Sequence, residues 1–217
     1  MGRDWAASAR MADDYNGSDP VDDAARSIAH EFRRRALPPT STAALTFLTQ
    51  LLRPASAIEV GTGTGTATLA LLRGMPRSGI LTSIDTDGDA QQVARELLVH
   101  AGLAGHRVRM ITGEPVTVLG RLAQRAYDLV LVDAEAEQTA DLVPHALQRL
   151  EPGGVLVISR ALQGGDVADP AVRTPQAKAL RTLLQTLAEA PGLSRVLLPV
   201  DDGLLILRLQ EDPSRGS

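Results

Sequence analysis

From residue 57 onward, short apolar runs alternate with longer segments whose apolar positions recur at helical spacing. The pattern predicts strands over 57–60, 80–85, 108–112, 127–132, 155–159, 195–200 and 204–208. Helices are expected between them over 64–73, 87–101, 116–125, 137–150 and 175–190. Regular strand–helix alternation means βαβ units and a mostly parallel sheet covered on both faces. Right-handed crossovers then give a doubly wound α/β layout. Asp201-Asp202-Gly203 is a hairpin-type turn, so the last two of the seven strands are expected as antiparallel neighbours.

Ahead of the sheet, Asp19 as N-cap and Pro20 at the first helical position start a helix over 21–35. Leu37-Pro38-Pro39 breaks it, and Thr40 or Ser41 is expected to cap the next helix. That helix carries the stripe Ala44, Leu45, Phe47, Leu48, Leu51 and Leu52, and Pro54 ends it. Residues 1–18 are polar and small and are expected to be disordered or loosely attached. Residues 19–211 form one domain, with N-terminal helices over 19–54 and the sheet core over 55–211, followed by a tail over 212–217. The run Arg33-Arg34-Arg35 offers a partner-binding patch, but three adjacent arginines more often sit on a solvated helix face, which is the expectation.

Composition narrows the chemistry. A formal charge of -4 lacks the basic excess that a nucleic-acid partner needs, and one Trp, two Tyr and two Phe cannot build a stacking platform. No cysteine is present, which excludes disulfides, thiolate metal sites and a cysteine nucleophile. Lys178 is the single lysine, so any lysine-dependent step rests on it. The N-terminal stretch has no apolar core of a signal peptide, and no segment reads as a membrane span; a cytoplasmic protein is the expectation.

Ligands of doubly wound sheets bind beyond the carboxyl ends of the strands. The first strand runs into Ile58-Glu59-Val60-Gly61-Thr62-Gly63-Thr64-Gly65-Thr66, whose glycines permit a tight turn and close approach of a ligand to the main chain. Later strands end at Asp85, at Gly113-Glu114, at Asp133 and at Ser159-Arg160. Asp85, about twenty residues past the turn, suits an adenosine ribose. A dinucleotide turn spaces its glycines Gly-x-Gly-x-x-Gly, whereas here they fall as Gly-x-Gly-x-Gly with Glu59 just ahead. That acid would repel a pyrophosphate and suits the cationic, phosphate-free S-adenosylmethionine. Gly113-Glu114-Pro115 fits a ligand-side turn and an ordinary helix start equally well. His30, His100, His106 and His145 have no metal-ligand spacing and are set aside.

With those residues in view, the chain from Ile58 onward resembles the catechol and caffeoyl-CoA type O-methyltransferases. The glycine turn resembles the family's cofactor turn, and Ile84-Asp85-Thr86-Asp87 resembles its ribose-binding strand end. Tyr127-Asp128-Leu129-Val130-Leu131-Val132-Asp133-Ala134 is similar to the segment ending in its first metal-binding aspartate. Pro152-Gly153-Gly154 and Leu198-Pro199-Val200-Asp201-Asp202-Gly203-Leu204 resemble later landmarks. Residues 37–41 lie where the family's N-terminal segment closes over the cofactor. The resemblance implies a Rossmann-like class I methyltransferase fold, S-adenosylmethionine as cofactor, a small-molecule acceptor and a homodimer. It further implies that Leu37, Glu59, Gly61, Thr62, Gly63, Gly65, Ala67, Asp85, Gly113, Glu114, Pro115 and Asp133 surround the cofactor.

The likeness breaks at the reacting end. Where the family has Asp-Ala-Asp-Lys, with the lysine as base, the chain has Asp133-Ala134-Glu135-Ala136. Where the fifth strand of the family ends Asp-Asn-Val-Leu-Trp, the chain has Ser159-Arg160-Ala161-Leu162-Gln163. A guanidinium cannot ligate magnesium, so no catalytic metal is expected. Arg160 is expected against Asp133 or Glu135, in the region of the missing cation, with Arg160 and Asp133 as the catalytic candidates. An O-methyltransferase working without a metal is the leading expectation. A catalytically silent cofactor-binding or interaction protein, favoured by the lost residues, and a nicotinamide oxidoreductase stay open beside it.

Overall fold

Strands β1 (Ser56–Val60), β2 (Ile80–Asp85), β3 (Val108–Thr112), β4 (Tyr127–Val132) and β5 (Leu150–Ile158) pair in parallel; β7 (Leu204–Leu209) runs antiparallel to both β5 and β6 (Leu193–Leu198). The sheet order is β3-β2-β1-β4-β5-β7-β6, the doubly wound sheet with a C-terminal antiparallel pair that the pattern predicts. The structure, a computed structural model, describes residues 5–103 and 106–211; the expected tail over 212–217 lies outside them.

Side-chain alternation along the strands builds two cores. Ala57, Leu81, Leu129, Leu131 and Val157 pack with Leu45 of α3 (Pro39–Leu52), Leu69 and Leu71 of α4 (Thr66–Gly74) and Leu98 of α5 (Gly88–His100). Ile58, Val60, Ile84, Val130, Val132 and Leu156 face the other way. They meet Leu119 of α6 (Pro115–Arg121), Leu142 and Val143 of α7 (Ala136–Arg149) and Leu187 of α8 (Pro175–Glu189).

Helix α2 (Pro20–Glu31) starts where predicted. Asp19 accepts from the Val21 and Asp22 amides at 2.9 Å each, and Asp22 returns a carboxylate to the Asp19 amide. Arg73 of α4 then clamps it, donating to both Asp22 oxygens at 2.7 Å and to Asp19 Oδ2 at 2.6 Å. Thr64 in the glycine turn donates to the Ala25 carbonyl at 2.9 Å, so α2 is fixed directly over that turn.

Three expectations change. Within the stretch 1–18, of which residues 1–4 lie outside the described residues, Trp5–Asn16 form the helix α1; Asp13 Oδ1 accepts from the Thr40 amide at 3.0 Å and the Thr40 hydroxyl at 2.6 Å, which ties α1 to α3. Thr40 is therefore not the cap of α3, which begins with Pro38 at the N-cap and Pro39 inside. Helix α2 also ends earlier than 35, because Phe32 closes it and Arg33 turns left-handed at φ 53°. That turn takes all three arginines off the helix face.

Candidate active site

The turn after β1 is built from the backbone up. Gly61 has φ 98°, and a Cβ there would fall 2.0 Å from the Asp133 carbonyl oxygen, so only glycine lets the ends of β1 and β4 meet. Gly65 has φ 96°, and a Cβ there would fall 3.0 Å from the Ala94 Cβ of α5. Gly63 differs: a Cβ would meet nothing within 4 Å, and its amide donates to Asp85 Oδ2 at 2.8 Å. Gly61 and Gly65 shape the chain, while Gly63 presents open backbone.

Beneath the turn runs a buried polar chain. Thr62 and Ser83 hydroxyls are 2.6 Å apart, and Ser83 and Thr68 donate to Glu59 Oε2 at 2.5 and 2.8 Å. Gln91 donates to the Thr62 hydroxyl at 3.0 Å and accepts from Thr112 at 2.7 Å. These contacts lock α5 and β3 to the turn. Glu59 itself is fully buried, its Oε1 without a partner among the described residues. Burial, reinforced by Asp133 and Asp85, pushes its carboxyl up from 4.5 to about 8.

A cleft of about 700 Å³ opens at the carboxyl ends of β1, β2 and β4. One end holds Ile84, Asp85, Thr86, Asp87 and Pro115; the other holds Asp133, Ala134, Glu135, Gln138 and Arg160. Phe32, Arg33, Arg34 and Arg35 line it too. Asp85 is nearly buried, accepts from the Asp87 amide at 2.9 Å and lies 3.6 Å from Arg34, which also pairs with Asp87 at 2.9 Å. The Ala90 amide at Asp87's own helix start, helped by Arg34 and the Asp89 amide, holds the Asp87 carboxyl below its ordinary range against the opposing effect of burial.

At the opposite end Arg160 folds inward, its side chain only 13% exposed. Nη2 donates to Asp133 Oδ1 at 2.7 Å, and Nη1 lies 3.4 Å from Glu135 Oε1. Ser159 donates to the same Asp133 Oδ1. Burial works against the guanidinium's charge, but Asp133 and Glu135 more than offset it and raise its pKa above the ordinary arginine value. Asp133 is where the resemblance places a first metal ligand, yet its Oδ1 already takes two donors from the chain. Among the described residues no three His, Asp or Glu side chains gather to hold a metal ion. This donor set, with a cation in its middle, does not fit a divalent metal.

Of the residues expected at the site, Gly61, Gly63, Asp85, Pro115, Asp133 and Arg160 line the cleft. Thr62 and Ala67 are buried behind it, Leu37 joins the core, and Gly65 packs on Ala94. Gly113 and the exposed Glu114 lie outside the lining. Glu59 does not line the cleft. Along β1 it shares the side of Ala57, so the alternation sends it toward Thr68 of α4. The acids that do meet the cleft are Asp85, Asp87, Asp133 and Glu135. Sequence reading also missed Arg33, Arg34 and Arg35; their position just before the expected closing segment at Leu37 was the available signal.

A glycine turn after β1, a carboxylate ending β2 and a cleft across the edge of a sheet ordered 3-2-1-4-5-7-6 define a class I methyltransferase fold. The chain belongs to the O-methyltransferase family, whose model matches residues 24–210. It is 37% identical over 188 residues to a protein of Mycobacterium sp. (strain JLS) carrying an inferred O-methyltransferase name; the match covers 87% of this chain and 86% of that one. A crystal structure from Corynebacterium glutamicum superposes with a TM-score of 0.84 at 28% identity, covering 90% of this chain and 92% of the other. The O-methyltransferase TomG of Streptomyces achromogenes, solved with SAM, gives 0.80 at 24% identity over 89% and 91% of the two chains, a likeness of fold.

Proposed function

We propose that this protein uses S-adenosylmethionine to methylate an oxygen of a small acceptor, and does so without a divalent cation. The observation that carries the metal-free reading is the Arg160–Asp133 pair at 2.7 Å, in the region where the family resemblance places a cation. The cofactor fits the cleft: Gly63 offers open backbone, Asp85 ends β2 beside it, and about 700 Å³ accommodates a nucleoside and a small acceptor.

The bound cofactor supplies a sulfonium methyl group open to in-line attack by oxygen. The chain's part is placement and charge. Gly63 and Asp85 position the nucleoside end. Arg160, held in place by Asp133 and Glu135, presents guanidinium N–H donors that orient the acceptor oxygen at the reacting end. Asp133 Oδ1 is engaged by Ser159 and Arg160, and Oδ2, with no hydrogen-bond donor among the described residues, is the atom that would accept a proton from a hydroxyl acceptor. With no lysine nearby, acidic hydroxyls or carboxylates are the acceptors this arrangement favours.

Thermal denaturation with S-adenosylhomocysteine and with NAD tests the cofactor directly. A stabilisation of several degrees by S-adenosylhomocysteine and none by NAD is expected. The reverse order would return the chain to the nicotinamide class.

The proposal extends to a cytoplasmic homodimer. Trp5, Met11 and Tyr15 of α1 and Phe47 and Leu51 of α3 are all more than 60% exposed, an apolar surface on two helices that touch each other. Light scattering should give twice the mass of the 22.9 kDa chain; a monomer at micromolar concentration contradicts the assembly.

A further inference from the structure

Four arginines line the cleft, and three of them are already neutralised. Arg34 pairs with Asp85 and Asp87, Arg35 with Asp202, and Arg160 with Asp133 and Glu135. Arg33 lines the same cleft and is exposed, and among the described residues it has no ion pair. Its backbone is left-handed, as are those of Arg53, Arg125 and Arg160. Arg33 is the left-handed residue just past α2, with φ 53°, its amide bonded to the His30 carbonyl and the Arg34 amide to the Ala29 carbonyl. Glycine is the residue that suits such a helix stop, because a side chain there costs conformational energy. The chain instead keeps a long cation at that position and turns it toward the cleft.

The segment after α2 spans the cleft. Arg34 reaches the Asp85 end, and Arg35 reaches Asp202, whose carbonyl accepts from the Leu162 amide two residues past Arg160. An anion placed between these ends finds one cation whose charge is unspent. From this placement we infer that Arg33 selects the acceptor: the substrate is a hydroxy acid, and Arg33 holds its carboxylate while the hydroxyl lies by Arg160. The inference rests on the methyltransferase reading above and adds the acceptor's class. It also agrees with the lack of a lysine or a metal-ligand group at the reacting end among the described residues, since binding through a fixed anion orients the hydroxyl.

The test is binding to the S-adenosylhomocysteine-loaded protein, measured by calorimetry across aromatic and aliphatic hydroxy acids, each paired with its primary amide. The wild type is expected to bind at least one acid about fivefold or more tightly than its amide. Arg33→Gly should bring the two affinities together. That variant suits the left-handed backbone, so it should melt no lower than wild type. Equal affinities in the wild type, or an acid preference that survives Arg33→Gly, overturns the inference. A large loss of S-adenosylhomocysteine affinity in Arg33→Gly also overturns it, by assigning Arg33 to the cofactor's own carboxylate. Failure of the wild type to bind S-adenosylhomocysteine at all is a different outcome, because it removes the methyltransferase reading itself.

Discussion

Arg160→Ala is expected to lower methyl transfer by about a hundredfold or more, the size of effect seen when one preorganised electrostatic group is removed from a reacting centre. The same change leaves Asp133, whose side chain is 9% exposed, without its ionic partner. Stripping one member from so buried a pair costs about 3 kcal/mol of stability. Arg160→Lys keeps the charge but loses the fork that reaches both Asp133 and Glu135, so it should recover part of the rate. A more pointed variant joins Ser159→Asp with Arg160→Asn, matching the strand end that the family resemblance describes. That protein is expected to respond to magnesium, where the wild type does not. Kinetics of labelled methyl transfer with and without magnesium reads all three variants. An Arg160→Ala protein that is as fast and as stable as wild type would remove Arg160 from the mechanism.

Stability should fall as pH rises from about 5 to about 9, with Glu59 as the cause. Unfolded, this carboxyl titrates near its ordinary 4.5; folded, burial holds it at about 8. Between those values the folded chain keeps a proton that the unfolded chain has released, so raising the pH favours unfolding. The contribution is whole below 4.5, declines through the window and is gone above 8. Each pKa unit corresponds to about 1.4 kcal/mol, so the total is on the order of a few kcal/mol and the melting temperature should drop by roughly 10 °C. Glu59→Gln keeps an oxygen for Ser83 and Thr68 and cannot ionise, so its profile should be flatter over the same range. Melting curves across this range decide the matter; parallel profiles for the two proteins would show that Glu59 does not titrate in this window.

Much of the fold was legible because strand and helix periods are local. The strands at 80–85, 108–112 and 127–132 fall where the apolar runs put them, and Asp201-Asp202-Gly203 does join antiparallel neighbours. Helix boundaries shifted where a backbone angle intervened, as at Gly65, whose left-handed conformation delays α4 to Thr66. The site was half legible. Residues placed by strand ends, such as Asp85 and Asp133, are in the cleft because a strand end has nowhere else to point. Glu59 lies off the cleft lining because strand parity, which nearness to the turn does not reveal, sends it toward Thr68 of α4. The arginines were placed on a solvated helix face for a different reason: their position depends on where α2 stops, and one left-handed residue at Arg33 moves the run from a helix face to the cleft. The pairing of Arg160 with Asp133 and Glu135 follows the charges read from the sequence.

The central claim is metal-free methyl transfer at the Arg160 end of the cleft. It is tested by incubating chelator-treated protein with labelled S-adenosylmethionine and a panel of acidic phenols and hydroxy acids, with EDTA or with magnesium. The account predicts transfer to at least one acceptor at rates within about twofold in the two conditions, since among the described residues no ligand set for the ion gathers. Transfer that appears only when magnesium is added, or no transfer to any acceptor, contradicts it.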